Sequence, residues 1–200
     1  MRKVEKMYEE KYGDIPRDYL ARLDKLIDDA NLSRYKINVY DKLHTRVGIK
    51  WKTLSFVVYM EPKATPRPRK GFYGNFYVSG ASDNKKFFKK YLKSDINLIK
   101  TPVKFTCKSY LPIPKSMHPV DKILAEMGLI YPTGKPDWDN VGKAYCDMIQ
   151  GTLIYDDSLV VEGTSIKRYS SKPRIEITLE YMEDFDSDFN KRKIINKKGG

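Results

Sequence analysis

The chain has 200 residues, 40% hydrophobic and 12% aromatic, which is enough for a buried core and too much for wholesale disorder. Thirty-eight Lys and Arg stand against 26 Asp and Glu, and the resulting +12 calls for a polyanionic partner, most commonly nucleic acid. Cys107 and Cys146 make neither a disulfide framework nor a four-ligand zinc site, and no apolar run approaches the roughly 18 residues of a membrane span, so a reduced cytoplasmic protein is expected.

Residues 1 to about 50 read as an N-terminal helical extension. Pro16 suits a first helical turn, and Tyr19, Leu20, Leu23, Leu26, Ile27 and Ala30 recur as a helical stripe. Arg17, Arg22, Asp24, Lys25, Asp28 and Asp29 fall on the other face. This is the pattern of a packed accessory element or an oligomer arm. The run LSFVVYM, Leu54 to Met60, predicts a buried strand. After Glu61-Pro62-Lys63 the chain is rich in Pro, Gly, basic and aromatic residues, which predicts a loop or loose hairpin. Asp83 can cap a helix with Phe87, Phe88, Tyr91 and Leu92 inward and Lys85, Lys86, Lys89, Lys90 and Lys93 outward.

Val103, Phe105 and Cys107 alternate with polar residues at strand period, and Val120 to Met127 predicts a short helix ending near Gly128. Val141, Ala144, Tyr145, Met148 and Ile149 have the spacing of one helical face, with Asp139 or Asn140 at the cap position. Two short strands, 159–162 and 165–169, and a final half-buried strand through Ile175, Ile177, Leu179 and Tyr181 follow. The expected fold is α+β: a two-layer mixed sheet packed against helices, with a closing hairpin. The domains expected are the extension at 1–50, a main α+β domain at 51–182, and a charged flexible tail at 183–200.

Five Asp and one Glu crowd the stretch KPDWDNVGKAYCDMIQGTLIYDDSLVVEG. Asp137 and Asp139 alternate before the helix, so an extended backbone would point both the same way. Lys143 follows Asp139 by four residues, and a strand beside the helix start could return Asp156 and Asp157 to the first pair. Converging carboxylates need a cation between them, and Mg²⁺ is the hard, oxygen-seeking ion for such a site, with Mn²⁺ the substitute. That chemistry suits metal-assisted phosphodiester hydrolysis, with an ammonium such as Lys143 to stabilise developing charge. The same residues also read as helix caps and turn formers, with Lys143 an i, i+4 partner of Asp139 and Asp147. Spacing alone does not choose.

Residues 135 to 169 resemble the signature of the RusA family of phage and bacterial Holliday-junction resolvases: KPDWDNVGKA, then DDSLVVE, then the basic strand IKRY. The upstream EPKATPRPRKG resembles the family's Pro/Arg-rich loop. The resemblance implies a RusA-like fold, Mg²⁺ dependence, homodimers and paired symmetric nicks in four-way DNA junctions. It places Asp137, Asp139, Lys143 and Asp157 in the active site, with Asp156 the neighbour most easily confused with Asp157. It also implies a bacterial or phage setting.

Affinity for DNA comes largely from phosphate contacts by basic side chains. The candidates are Arg67, Arg69 and Lys70 in the loop, Lys85, Lys86 and Lys89 on the lysine face, and Lys167 and Arg168 near the acids. Phe72, Tyr73, Phe76 and Tyr77 can either stack on bases or pack a hairpin. Two other functions fit the composition: a flap or branched-DNA nuclease of broader specificity, and a non-catalytic basic DNA-binding module.

Overall fold

The structure is a computed structural model and describes residues 15–64, 69–70, 76–77 and 98–182. Arg67, Phe72, Tyr73, the expected lysine-rich helix with Lys85, Lys86 and Lys89, and the expected tail from 183 onward lie outside the described residues. The chain divides into two units, one ending at Lys50 and the other beginning at Trp51.

In the first unit, helix α1 spans Arg17–Asp29 and helix α2 spans Lys36–Val47, joined by a 3-10 turn at Ser33–Tyr35. Pro16 sits at the N-cap of α1 rather than inside its first turn. The helix stops because Asn31 adopts a left-handed φ of 54°, letting Leu32 N–H bond the Ile27 carbonyl at 2.9 Å and Asn31 N–H that of Asp28 at 3.0 Å. Ile15, Ile27 and Tyr40 form the small core, with Leu20, Leu23, Val39 and Leu43 packed around them. The expected stripe is corrected at Tyr19, Leu26 and Ala30, which are exposed, the last beyond the helix end. Asp24, expected on the outer face, instead meets α2. Its Oδ1 accepts from Tyr40 Oη at 2.7 Å and pairs with Lys36 Nζ at 2.8 Å.

The second unit is built on four strands: β1 (Trp51–Val58), β4 (Val103–Pro112), β5 (Val160–Ser170) and β6 (Arg174–Met182). Two short strands, β2 (Arg69–Lys70) and β3 (Phe76–Tyr77), form a separate antiparallel pair within the expected loose hairpin. The large sheet runs β1-β6-β4-β5, with β4 and β5 parallel and the other neighbours antiparallel. Helices α3 (Pro119–Glu126) and α4 (Trp138–Ile149) lie in the crossover between the parallel strands. The fold is therefore α+β with a mixed sheet and helices, as the sequence patterning led one to expect.

Alternation along β4 and β6 buries Val103, Phe105, Cys107, Ile175, Ile177 and Leu179 under α4, while Lys104, Thr106 and Thr178 take the other face. Val141, Tyr145 and Ile149 of α4 have no exposed surface, and each such apolar side chain stabilises the unit by roughly 1.5–3 kcal/mol.

Three local expectations change. The strand expected at 54–60 runs instead from Trp51 to Val58 and buries only Val58 fully, because it is a sheet edge with one face uncovered. The two strands expected at 159–162 and 165–169 are one continuous β5 passing through Gly163. No closing hairpin forms between the last two strands. β6 leaves β5 through a short turn and inserts between β1 and β4, where its alternating Ile175, Ile177 and Leu179 are covered on the helix side.

Candidate active site

Helix α4 organises the site. Its buried face is the predicted one: Val141, Ala144, Tyr145, Met148 and Ile149 are all in the core. Gly142 lets the helix approach β5 closely, since a Cβ there would stand 3.0 Å from Ser165 Cβ and 3.1 Å from its Oγ. Trp138 adds two bonds to the same strand residue. Its indole Nε1 donates to the Ser165 carbonyl at 2.6 Å, and Ser165 Oγ donates to the Trp138 carbonyl at 3.0 Å.

The helix begins two or three residues earlier than the expected cap residues suggested. Asp137, not Asp139 or Asn140, is the N-cap, with an extended ψ of 144°, and Asp139 already lies in the first turn. The two acids thus flank a helix start instead of sharing one face of a strand. Asp137 makes no side-chain capping bond but accepts from Asn140 Nδ2 at 3.3 Å. Both acids and Lys143 are exposed. Asp139, Lys143, Cys146 and Gln150 recur at i, i+4, i+7 and i+11, which lines them along one side of α4.

The second acidic pair reaches that side from the far end. Ile99 N–H donates to the Leu153 carbonyl at 2.8 Å and Tyr155 N–H to the Ile99 carbonyl at 2.9 Å, pinning the chain just before Asp156. Gly151, at φ 70°, makes the turn out of the helix that a side chain would strain. Asp156 caps the 3-10 turn at Asp157–Leu159: its Oδ1 accepts from both the N–H and the hydroxyl of Ser158, and its Oδ2 from Gln150 Nε2 at 3.5 Å. Asp157 lies close enough to α4 for its charge to act on Cys146. Burial, then the charges of Asp147 and Asp157, push that thiol up to about 11.

Beside the helix start lies an open cleft of about 720 Å³ lined by Pro62, Lys63, Ala64, Lys135, Pro136, Asp137 and Asn140. Lys63 and Lys135 were not among the residues expected to meet DNA. Each lies inside a motif already quoted, Lys63 in EPKATPRPRKG and Lys135 at the start of KPDWDNVGKA, and that membership is the signal the chain offers for them. The expected pair Lys167 and Arg168 both turn to the segment 131–136 that leads into α4. Lys167 Nζ donates to the Gly134 and Pro136 carbonyls, each at 2.8 Å. Arg168 stacks on Tyr131, 5.0 Å from the ring centroid. Of Arg69 and Lys70 only the backbone in β2 is described.

Among the described residues no three His, Cys, Asp or Glu side chains group closely enough to hold a metal ion by themselves. Mg²⁺ does not require such a cage, since it commonly takes one or two carboxylates together with substrate phosphate oxygens and water. Exposed Asp137 and Asp139, two residues apart at one helix start, match that smaller donor set.

The sequence model of the family described as Endodeoxyribonuclease RusA matches residues 60–180, a span that holds the acids, the cleft and β4 to β6 but omits the N-terminal unit. A Bacillus subtilis (strain 168) protein, described as uncharacterized protein YqaN, is 35% identical over 134 residues, covering 63% of this chain and 94% of that relative. Among the described residues no helix is long and apolar enough to cross a membrane.

Proposed function

The chain belongs to the RusA family of endodeoxyribonucleases, and from that premise we propose that it resolves four-way DNA junctions by paired symmetric nicks, with Mg²⁺ as its cofactor. The observation that carries the reading is the helix start itself. Asp137 and Asp139 open α4, Lys143 follows one turn on, and a cleft bearing two lysines adjoins them.

Each group then has a task. Asp137 and Asp139 would hold the cation, with Asp157 contributing from the far end of the same side of α4. When bound, Mg²⁺ supplies polarisation of the scissile phosphate and a lowered pKa for the attacking water. Lys63 and Lys135 attract the phosphodiester backbone into the cleft. Lys143, exposed on the same side of α4 as Asp139, stabilises negative charge as it grows on the phosphoryl oxygens. Asp156, engaged in capping its turn, holds Asp157 in place rather than binding the ion.

A four-way junction has two-fold character, so two matched cuts are served by a symmetric homodimer working in the cytoplasm of a bacterial cell. The test compares cleavage of a synthetic four-way junction, a flap, a linear duplex and a single strand at equal salt, with and without Mg²⁺. The expected result is Mg²⁺-dependent, symmetric nicking of the junction well above the other substrates. Equal rates on flaps would make the protein a broader branched-DNA nuclease. Binding without product in Mg²⁺ or Mn²⁺ would leave a non-catalytic DNA-binding module.

A further inference from the structure

We infer that Lys167 is a positioning residue for the acid site and not a contact for DNA phosphate. The inference rests on the nuclease reading above and assigns a role within that site.

Strand β5 carries Ser165 and Lys167 two residues apart, hence on one face. Their register partners on β4, Cys107 and Ser109, are buried on the helix side, so this is the face that meets α4. Both side chains grip the same short stretch of chain. Ser165 holds Trp138 by two hydrogen bonds, and Lys167 Nζ bridges the carbonyls of Gly134 and Pro136. The bridged carbonyls bracket Lys135, which lines the cleft, and the second belongs to the residue directly before Asp137.

The stretch needs such a hold. Pro132 and Pro136 lack N–H donors, so the chain entering the helix has fewer ways to bond itself. An ammonium offers three donors around a compact charge, and here two are directed at main-chain oxygens. Lys167 thereby fixes the backbone from which both Asp137 and Lys135 project. A displacement of about 1 Å in a catalytic group can cost on the order of a hundredfold in rate.

The experiment is steady-state junction cleavage by Lys167→Met and Lys167→Arg beside the wild type. It is paired with junction binding in Ca²⁺ across a salt series and with a Mg²⁺ titration of cleavage. For Lys167→Met, kcat is expected to fall by about tenfold or more. Its junction Kd should stay within about twofold with an unchanged salt slope, and half-saturation by Mg²⁺ should move to higher concentration. Lys167→Arg, which keeps the donors, recovers part of the lost turnover.

Unchanged kcat in Lys167→Met overturns the inference. So does weaker binding with the salt slope shallower by about one and kcat intact at saturating junction, the mark of a lost phosphate contact. If Lys167→Met melts below the assay temperature, Lys167→Gln, whose amide can still reach one carbonyl, is read against the same outcomes. A wild type that cuts no junction sinks the functional reading instead. The inference then stands or falls on whether the amides of 137–140 exchange faster in Lys167→Met than in wild type.

Discussion

The backbone N–H of Lys63 donates a 2.9 Å hydrogen bond to the hydroxyl of Tyr145, whose side chain is fully buried on the inner face of α4. One wall of the cleft, the segment leaving β1, is thus tied to the helix that carries the acids on the other wall. Burial raises the phenol's pKa above its ordinary value despite the Lys63 N–H, so the hydroxyl stays protonated throughout the working range. Tyr145→Phe removes this acceptor and should cost about 1 kcal/mol, within the usual range for one intramolecular hydrogen bond. Chemical denaturation measures the loss. Faster hydrogen exchange at the Lys63 amide would locate it, and an amide as protected as in wild type would refute the tie.

At Gly142 a methyl group would have to displace Ser165, whose hydroxyl is already bonded to Trp138. Gly142→Ala gains helix propensity of up to about 1 kcal/mol but crowds a strand Cβ that cannot rotate away. The expected net effect is a destabilisation of about 1 kcal/mol, largely relieved in Gly142→Ala/Ser165→Gly. A double-mutant cycle on melting temperatures checks the coupling, and simple additivity would count against the close contact.

The acidic pair should divide between chemistry and structure. Asp157→Asn, like Asp137→Asn and Asp139→Asn, is expected to lower junction cleavage by on the order of a hundredfold or more, with the melting temperature nearly unchanged. Asp156→Ala should lose about 1 kcal/mol of stability through the missing cap and cut more slowly only as far as Asp157 shifts. Nicking rates set beside thermal melts decide the matter, and the reverse pattern would exchange the two residues' roles.

In the first unit, burial alone would raise the Asp24 carboxyl. The bonds from Lys36 and Tyr40, with the Lys36 charge, outweigh it and bring the pKa below the ordinary value. A depressed carboxylate contributes stability that is present above its unfolded pKa, about 3.9, and is lost as pH falls through its folded value. The unit should therefore weaken at and below about pH 4, and Asp24→Asn should flatten that dependence. Helical circular dichroism followed during acid titration tests it; identical curves for variant and wild type would remove Asp24 from the account.

Much of the second unit was legible because its signals are local. The apolar spacing from Val141 to Ile149 described the buried side of α4, and alternation described β4 and β6. The same local rule erred at β1, since hydrophobic content does not tell an edge strand from a central one. It also erred at 159–169, where two strands were expected and one continuous strand runs through Gly163. Tyr19 and Leu26 show a further limit. A helical stripe wider than the partner helix can cover leaves its margins in solvent.

The amino-acid order alone carried the acidic motif, the lysine one turn beyond it, the basic balance and the family likeness, because each depends on residue identity and short spacing. Folding decided where α4 starts, which member of the acidic pair caps its own turn, and that Lys167 holds main-chain carbonyls while Lys135 lines the cleft. Those outcomes depend on which strand lies beside which segment and in what register. Donors and acceptors some 30 residues apart meet only after that packing is complete.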